Sequence, residues 1–135
     1  MPDLPDPVET VRRHFQNDPF ARANGIELVD LGVGHAKTRV VLEERHWNCF
    51  GITHGGMLFT LAAIAFAAAC NTGGRVAVGV NMNLVCLKTS RTGTLVAEAT
   101  EVSRSSRLST ATVQVTNAAG DLVAIFQGTA FLKDA

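Results

Sequence analysis

The sequence predicts an antiparallel α+β fold in which a sheet curls around one long buried helix. Two observations carry that prediction. Gly55 to Cys70 is a helical run with leucine, alanine and phenylalanine on every side and no charged residue. Around it the other elements are segregated, a hairpin before it and four β-rich segments after it, which marks an α+β arrangement and not alternating βαβ units. A helix apolar all round is normally buried, and strands can cover it fully only by curling around it.

Each element has its own signal. Pro7 at a first helical position, with Val8, Val11 and Phe15 behind it, predicts a short amphipathic helix that Asn17-Asp18-Pro19 ends. Ile26 to Leu42 predicts a hairpin turning at Gly32-Val33-Gly34, with Ala36, Thr38, Val40 and Leu42 on one face. A polar loop, Glu43 to Thr53, leads to the long helix, and Asn71-Thr72-Gly73-Gly74 stops it, Asn71 as its C-terminal cap. Valine-rich Arg75 to Leu87, Thr94 to Val102, Leu108 to Thr116 and Leu122 to Leu132 follow as strands. The third of these alternates Thr110, Thr112, Gln114 and Thr116 with Ala111, Val113 and Val115. Asn117 to Asp121 supplies the last hairpin turn. The 135 residues are expected to form one domain, with residues 1–19 as an N-terminal helical extension.

Composition narrows the function. Twelve basic residues balance twelve acidic ones, so no bulk charge points to nucleic acid or an acidic membrane, and any anion must be gripped locally. Cys49, Cys70 and Cys86 are odd in number and lack metal-ligand spacing, which favours reduced thiols in a cytoplasmic protein. Met1 to Pro7 does not read as a signal peptide. The apolar run is shorter than the ~20 residues that span a bilayer.

Residues 47 to 71 read WNCFGITHGGMLFTLAAIAFAAACN. Asn48, Gly51, His54, Gly55 and Gly56, followed at once by the helix, resemble the signature of hotdog-fold acyl-CoA thioesterases. Within them the segment is most similar to the phenylacetate-degradation type, whose helix begins at His-Gly-Gly and ends at Ala-Cys-Asn. The resemblance runs from Phe20 to Lys133. It implies a hotdog fold, an acyl- or arylacyl-CoA substrate hydrolysed to free acid and coenzyme A, and no metal or organic cofactor. It also implies a homodimer or homotetramer, with the site formed where the helix start of one subunit meets the helix of another. Arg75 to Leu87 is too apolar for an exposed edge, which independently suggests pairing with a second copy.

A thioester under attack develops negative charge on its carbonyl oxygen. The unpaired amides and positive dipole end of a helix start can stabilise that charge. Gly55 and Gly56 suit such an oxyanion hole because glycine lets a ligand approach the backbone; the plainer alternative is a turn required by geometry. His54 either positions the carbonyl or fixes the loop, and Asn48 either orients thioester and water or holds a turn. Phe59, Phe66 and Phe126 line an acyl pocket or simply form core. Lys88, Arg91, Arg104 and Arg107 gather after the central strand and in the next hairpin, where the resemblance places the phosphates of coenzyme A. For any one of them a solvated turn residue is the alternative.

One position departs from the family. The related enzymes carry an Asp or Glu two turns into the helix as general base or nucleophile, and here that place is Ala63. No other acid lies between Glu44 and Glu98, and Thr60, the helix's one hydroxyl, is expected to bond back to its own helix. Three origins stay open: an engineered change, a natural homologue with weak or lost hydrolysis, or a different catalytic group. The rival to a thioesterase is a non-catalytic acyl-CoA-binding protein.

Overall fold

A computed structural model describes residues 6–134; of the segment Met1 to Pro7, read above for a signal peptide, the first five residues fall outside them. Six strands form one sheet in the order β1-β2-β4-β5-β6-β3, and every neighbouring pair is antiparallel. They are β1 (Glu27–Gly32), β2 (His35–Val41), β3 (Ala77–Cys86), β4 (Thr94–Arg104), β5 (Leu108–Asn117) and β6 (Leu122–Leu132), with helix α3 (Gly55–Asn71) against one face. The chain leaves β2, runs through α3, and enters the sheet again at its far edge as β3.

Two short helices precede the sheet, α1 (Pro7–Gln16) and α2 (Pro19–Ala23). Asp6 caps α1 through Val8 N–H at 2.9 Å, and Asp18 caps α2 through Phe20 N–H at 2.9 Å and Ala21 N–H at 3.1 Å. Reading Asn17-Asp18-Pro19 only as a stop misses α2. The same Asp-Pro pair is a start signal, a capping carboxylate before a proline at the first helical position.

The core is thin because small residues line it. Ala36, Ala97, Ala99, Ala111, Ala124 and Ala130 are fully buried on the inner face of the sheet, opposite the alanines of α3. Phe66, like fully buried Phe126, is a bulky exception. A Cβ on Gly128 would lie 2.8 Å from its ring and one on Gly79 3.2 Å, so two glycines on adjacent strands make its slot. Its ring also packs on Phe126, 5.5 Å between centroids. In β2 the buried Thr38 hydroxyl donates to the Leu61 carbonyl at 2.8 Å, tethering sheet to helix. The faces of β5 fall as its alternation predicts, with Ala111, Val113 and Val115 inside.

The sheet does not cover the helix completely, contrary to expectation. Phe59, Thr60, Ala63, Ile64, Ala67 and Asn71 are only half-buried. At 3.6 residues per turn they form one stripe, with Ala63 and Ala67 near its centre. Edge strand β3 is likewise bare, with Val78, Val80, Met82 and Val85 exposed. Asn71 does bond a carbonyl of the last turn, Ala67, at 2.8 Å, but it is the helix's final residue and Thr72 is the cap. Its carboxamide also accepts from Ala77 N–H at 2.9 Å, joining helix end to β3. Among the described residues no helix is long and apolar enough to cross a membrane.

Candidate active site at the start of the long helix

His54 is the N-cap of α3, in extended backbone at φ −63° and ψ 135°. Its Nδ1 accepts the Gly56 N–H at 2.8 Å. The neutral imidazole therefore carries its proton on Nε2. Met57 and Leu58 N–H both turn back to the His54 carbonyl, at 2.9 and 3.2 Å. Of the first amides of the helix, Gly55 N–H alone has no acceptor among the described residues. The pair of oxyanion donors expected at Gly55 and Gly56 thus becomes one: Gly55 is open, and Gly56 is spent on His54. Gly56 is glycine for a local reason, since a Cβ there would lie 3.0 Å from His54 Nδ1. A Cβ on Gly55 meets nothing within 4 Å.

The loop before the helix is held by the other site candidate. Asn48 Oδ1 accepts from Phe50 N–H at 2.9 Å and Ile52 N–H at 3.3 Å, while Gly51 turns the chain at φ +75°. The carbonyl end of Asn48 therefore holds a turn, and its Nδ2 makes no hydrogen bond among the described residues. Thr53 straps the loop to the next segment, its N–H and hydroxyl both reaching the Ser90 carbonyl at 2.8 Å. Thr60 donates to the Gly56 carbonyl at 2.8 Å, as its place in the helix predicts. Ala63 lies on the same uncovered stripe as Thr60 and offers only a methyl group.

Beside the first turn a cleft of about 350 Å³ is lined by Phe20, Trp47, His54, Gly56, Met57 and Thr60. A larger one, about 390 Å³, lies between the short helices and β1, away from α3 and from every site candidate; the smaller is the one that meets the chemistry. Phe20, Trp47 and buried His46 were not singled out from the sequence. Phe20 belongs to the missed α2. His46 has both ring nitrogens occupied, by Glu43 N–H at 2.9 Å and by the Asn24 carbonyl at 2.8 Å, so it supports the loop. Trp47 donates to the Arg91 carbonyl at 2.7 Å and carries the Arg91 guanidinium 4.4 Å above its ring. Phe59, placed in advance as an acyl contact, sits half-buried with its ring edge against Phe126, 5.4 Å between centroids.

The basic residues do not gather within one chain. Lys88 lies at the end of the sheet where α3 starts and pairs with Asp121 at 2.7 Å, which holds that carboxyl below its usual range. Arg104 and Arg107 lie at the opposite end, beside the close of α3. Arg104 is bound to Glu101 at 2.8 Å and to the Cys70 carbonyl at 3.2 Å. Arg107 makes no side-chain hydrogen bond among the described residues. Strand order explains the split: the chain reverses along β4, and its two ends lie at opposite ends of the sheet.

A curled antiparallel sheet around one long helix, with the candidate site at the helix start, defines the hotdog class. The sequence pattern of the thioesterase superfamily matches residues 50–124, more than half of the chain. The chain is 31% identical to the acyl-coenzyme A thioesterase PaaI of Escherichia coli, over 84% of this chain and 82% of that protein. The solved structure of the E. coli PaaI protein from the phenylacetic acid degradation operon superposes with a TM-score of 0.89 at 28% identity, covering 96% of each chain. A mutant of the phenylacetic acid degradation protein PaaI from Thermus thermophilus gives 0.81 at 36% identity, over 84% of this chain and 98% of that one. This chain belongs to the thioesterase superfamily.

Proposed function

We propose that this protein binds an acyl- or arylacyl-CoA thioester at the start of α3, in the manner of an acyl-CoA thioesterase, with Ala63 where the hydrolytic carboxylate would stand. The observation that carries the reading is the free Gly55 N–H at the head of a 17-residue helix, beside the Nε2–H of His54. The open amide and the dipole end of the helix would stabilise a thioester oxygen as it gains charge. The cleft between Phe20 and Trp47 takes the acyl group, with Arg45 in its lining and Arg91 stacked on the Trp47 ring as the cations beside it. Hydrolysis adds water to the thioester carbon, places the charge on the oxygen held by Gly55, and expels the coenzyme A thiolate. Ala63 cannot take the proton of that water.

The second reading, a non-catalytic acyl-CoA-binding protein, is favoured by the same methyl group. Thiol release from phenylacetyl- and short acyl-CoA thioesters, measured on this chain and on Ala63→Asp, separates the two. Binding of a hydrolysis-resistant analogue by both forms supports the site. Turnover confined to Ala63→Asp identifies a binder that lacks only its base, and turnover by neither identifies a binder whose cleft excludes water. A failure of every CoA analogue to bind removes the assignment.

The bare apolar edge of β3 and the uncovered stripe of α3 support association with a second copy, edge to edge through β3. Sedimentation at micromolar concentration should show no stable monomer.

A further inference from the structure

The cleft at the helix start is not apolar throughout. Phe20, Trp47 and Met57 give it hydrophobic walls, but the side built by the end of α2 and the short turn Glu44–His46 carries Asn24, Arg45 and His46. Most side chains there already donate to carbonyls of the chain: Asn24 Nδ2 to Phe20 at 2.9 Å, His46 Nε2 to Asn24 at 2.8 Å and Trp47 Nε1 to Arg91 at 2.7 Å. Arg45 is different. Its Nε pairs with Glu43 at 2.8 Å and its Nη1 donates to the Ala23 carbonyl at 2.5 Å, while Nη2 has no acceptor among the described residues. The guanidinium has a seat of its own, since a Cβ on Gly25 would come within 2.7 Å of Nη2.

We infer that Arg45 selects the acyl group, and that the preferred substrate is a short dicarboxylic monothioester of coenzyme A whose free carboxylate meets the guanidinium. The inference rests on the thioester site proposed above. The cleft is lined by Gly56 and Thr60 of α3 as well as by Arg45, so an acyl chain can hold its thioester at the helix start and its far end at the cation. Phe20 and Met57 would flank the methylenes between. Of the five N–H donors of a guanidinium, two are spent here, and those two bonds hold the rest in a fixed fork. A planar fork of this kind matches a carboxylate better than any neutral group. An apolar acyl end in the same place would strip water from Nη2 and return no hydrogen bond. Size agrees with a short chain, because about 350 Å³ lies near the lower end of the ~300–1,000 Å³ usual for ligand pockets.

Calorimetric titration of the full chain tests this with hydrolysis-resistant analogues of succinyl-, glutaryl-, butyryl- and pentanoyl-CoA, in which a methylene replaces the thioester sulfur. Each acid is compared with the methyl-ended chain of similar length, so the coenzyme A contribution cancels in the ratio. The expected result is that at least one acid binds about tenfold tighter than its neutral counterpart, the lower end of what a hydrogen bond to a charged group is worth. In Arg45→Gln that ratio should fall to within about twofold of unity, with the neutral analogues bound as before. If Arg45→Gln lowers the unfolding midpoint, the parent in about 1 M salt decides instead, since a screening length of ~3 Å should shrink the ratio. Neutral analogues bound as tightly as the acids overturn the inference and leave the thioester site standing. A preference for acids that survives both Arg45→Gln and high salt overturns the assignment to Arg45. Failure of all four analogues to bind removes the thioester site, and this inference with it.

Discussion

The two ends of α3 are built on opposite principles. At its close Asn71, Thr72, Arg104 and Ser109 are all hydrogen-bonded. Asn71 links the Ala67 carbonyl to Ala77, Thr72 donates to the Ala69 carbonyl at 2.7 Å and accepts from Gly34 N–H at 2.7 Å, and Arg104 takes the Cys70 carbonyl. Ser109 bridges the Cys70 thiol and Glu101. At its start one amide and one histidine ring nitrogen have no partner among the described residues, and a Cβ on Gly55 would meet nothing within 4 Å. Backbone donors at a helix start go unpaired at a cost unless water or a ligand meets them. The closed end supplies stability and the open end supplies a place for an anion or a polarised carbonyl.

That contrast can be broken experimentally. The largest effect is expected from Ala63→Asp, which should raise thioester turnover ~10²–10⁴-fold, the usual worth of a positioned acid–base group. Steady-state thiol release with phenylacetyl-CoA measures it, and no gain in a folded, substrate-binding variant would mean that position 63 has another role. In that background Gly55→Pro should cost ~10²–10³-fold, since it deletes one oxyanion donor. The change is suited to the site because proline is favoured at a first helical position and His54 already has the extended backbone a pre-proline residue needs. Gly55→Ala keeps the N–H and meets no neighbour, so its turnover should stay near the parent's. If both substitutions act alike, the amide is not the donor.

At the closed end the readout moves from rate to stability. Asn71→Ala leaves Ala77 N–H without its acceptor and should cost about 1–3 kcal/mol in urea unfolding, with analogue affinity unchanged. Gly128→Ala should cost about 1–3 kcal/mol by pushing a methyl into the Phe66 ring. The smallest effect concerns thiols. Burial pushes the Cys70 thiol above its ordinary range and closes it off from reagent, whereas Cys49 is exposed. Alkylation followed by mass spectrometry should label Cys49 and spare Cys70 until the protein unfolds.

Much of this could be read from the chain because its signals act over a few residues. Proline and glycine punctuated the elements, alternation set the two faces of β5, and the charge-free run from Gly55 marked the central helix. Even α2 was written locally in Asp18-Pro19, where a stop for one helix masked the start of the next.

The remainder depended on sheet order, which no local pattern contains. Lys88 meets Asp121 because β3 lies beside β6, and Arg104 meets the close of α3 because β4 runs the length of the sheet. Both pairings join residues more than thirty positions apart. Which helix-start amide remains free is by contrast a local matter, set by the His54 ring accepting from Gly56 two residues on. The uncovered face of the helix follows from the width of the sheet, since one chain's strands cannot enclose a cylinder of side chains. Sequence determined the elements and the helix-start hydrogen bond of His54 to Gly56, and tertiary structure decided which side chains meet at the close of the helix, because those hydrogen bonds are settled by what distant strands bring within about 3 Å.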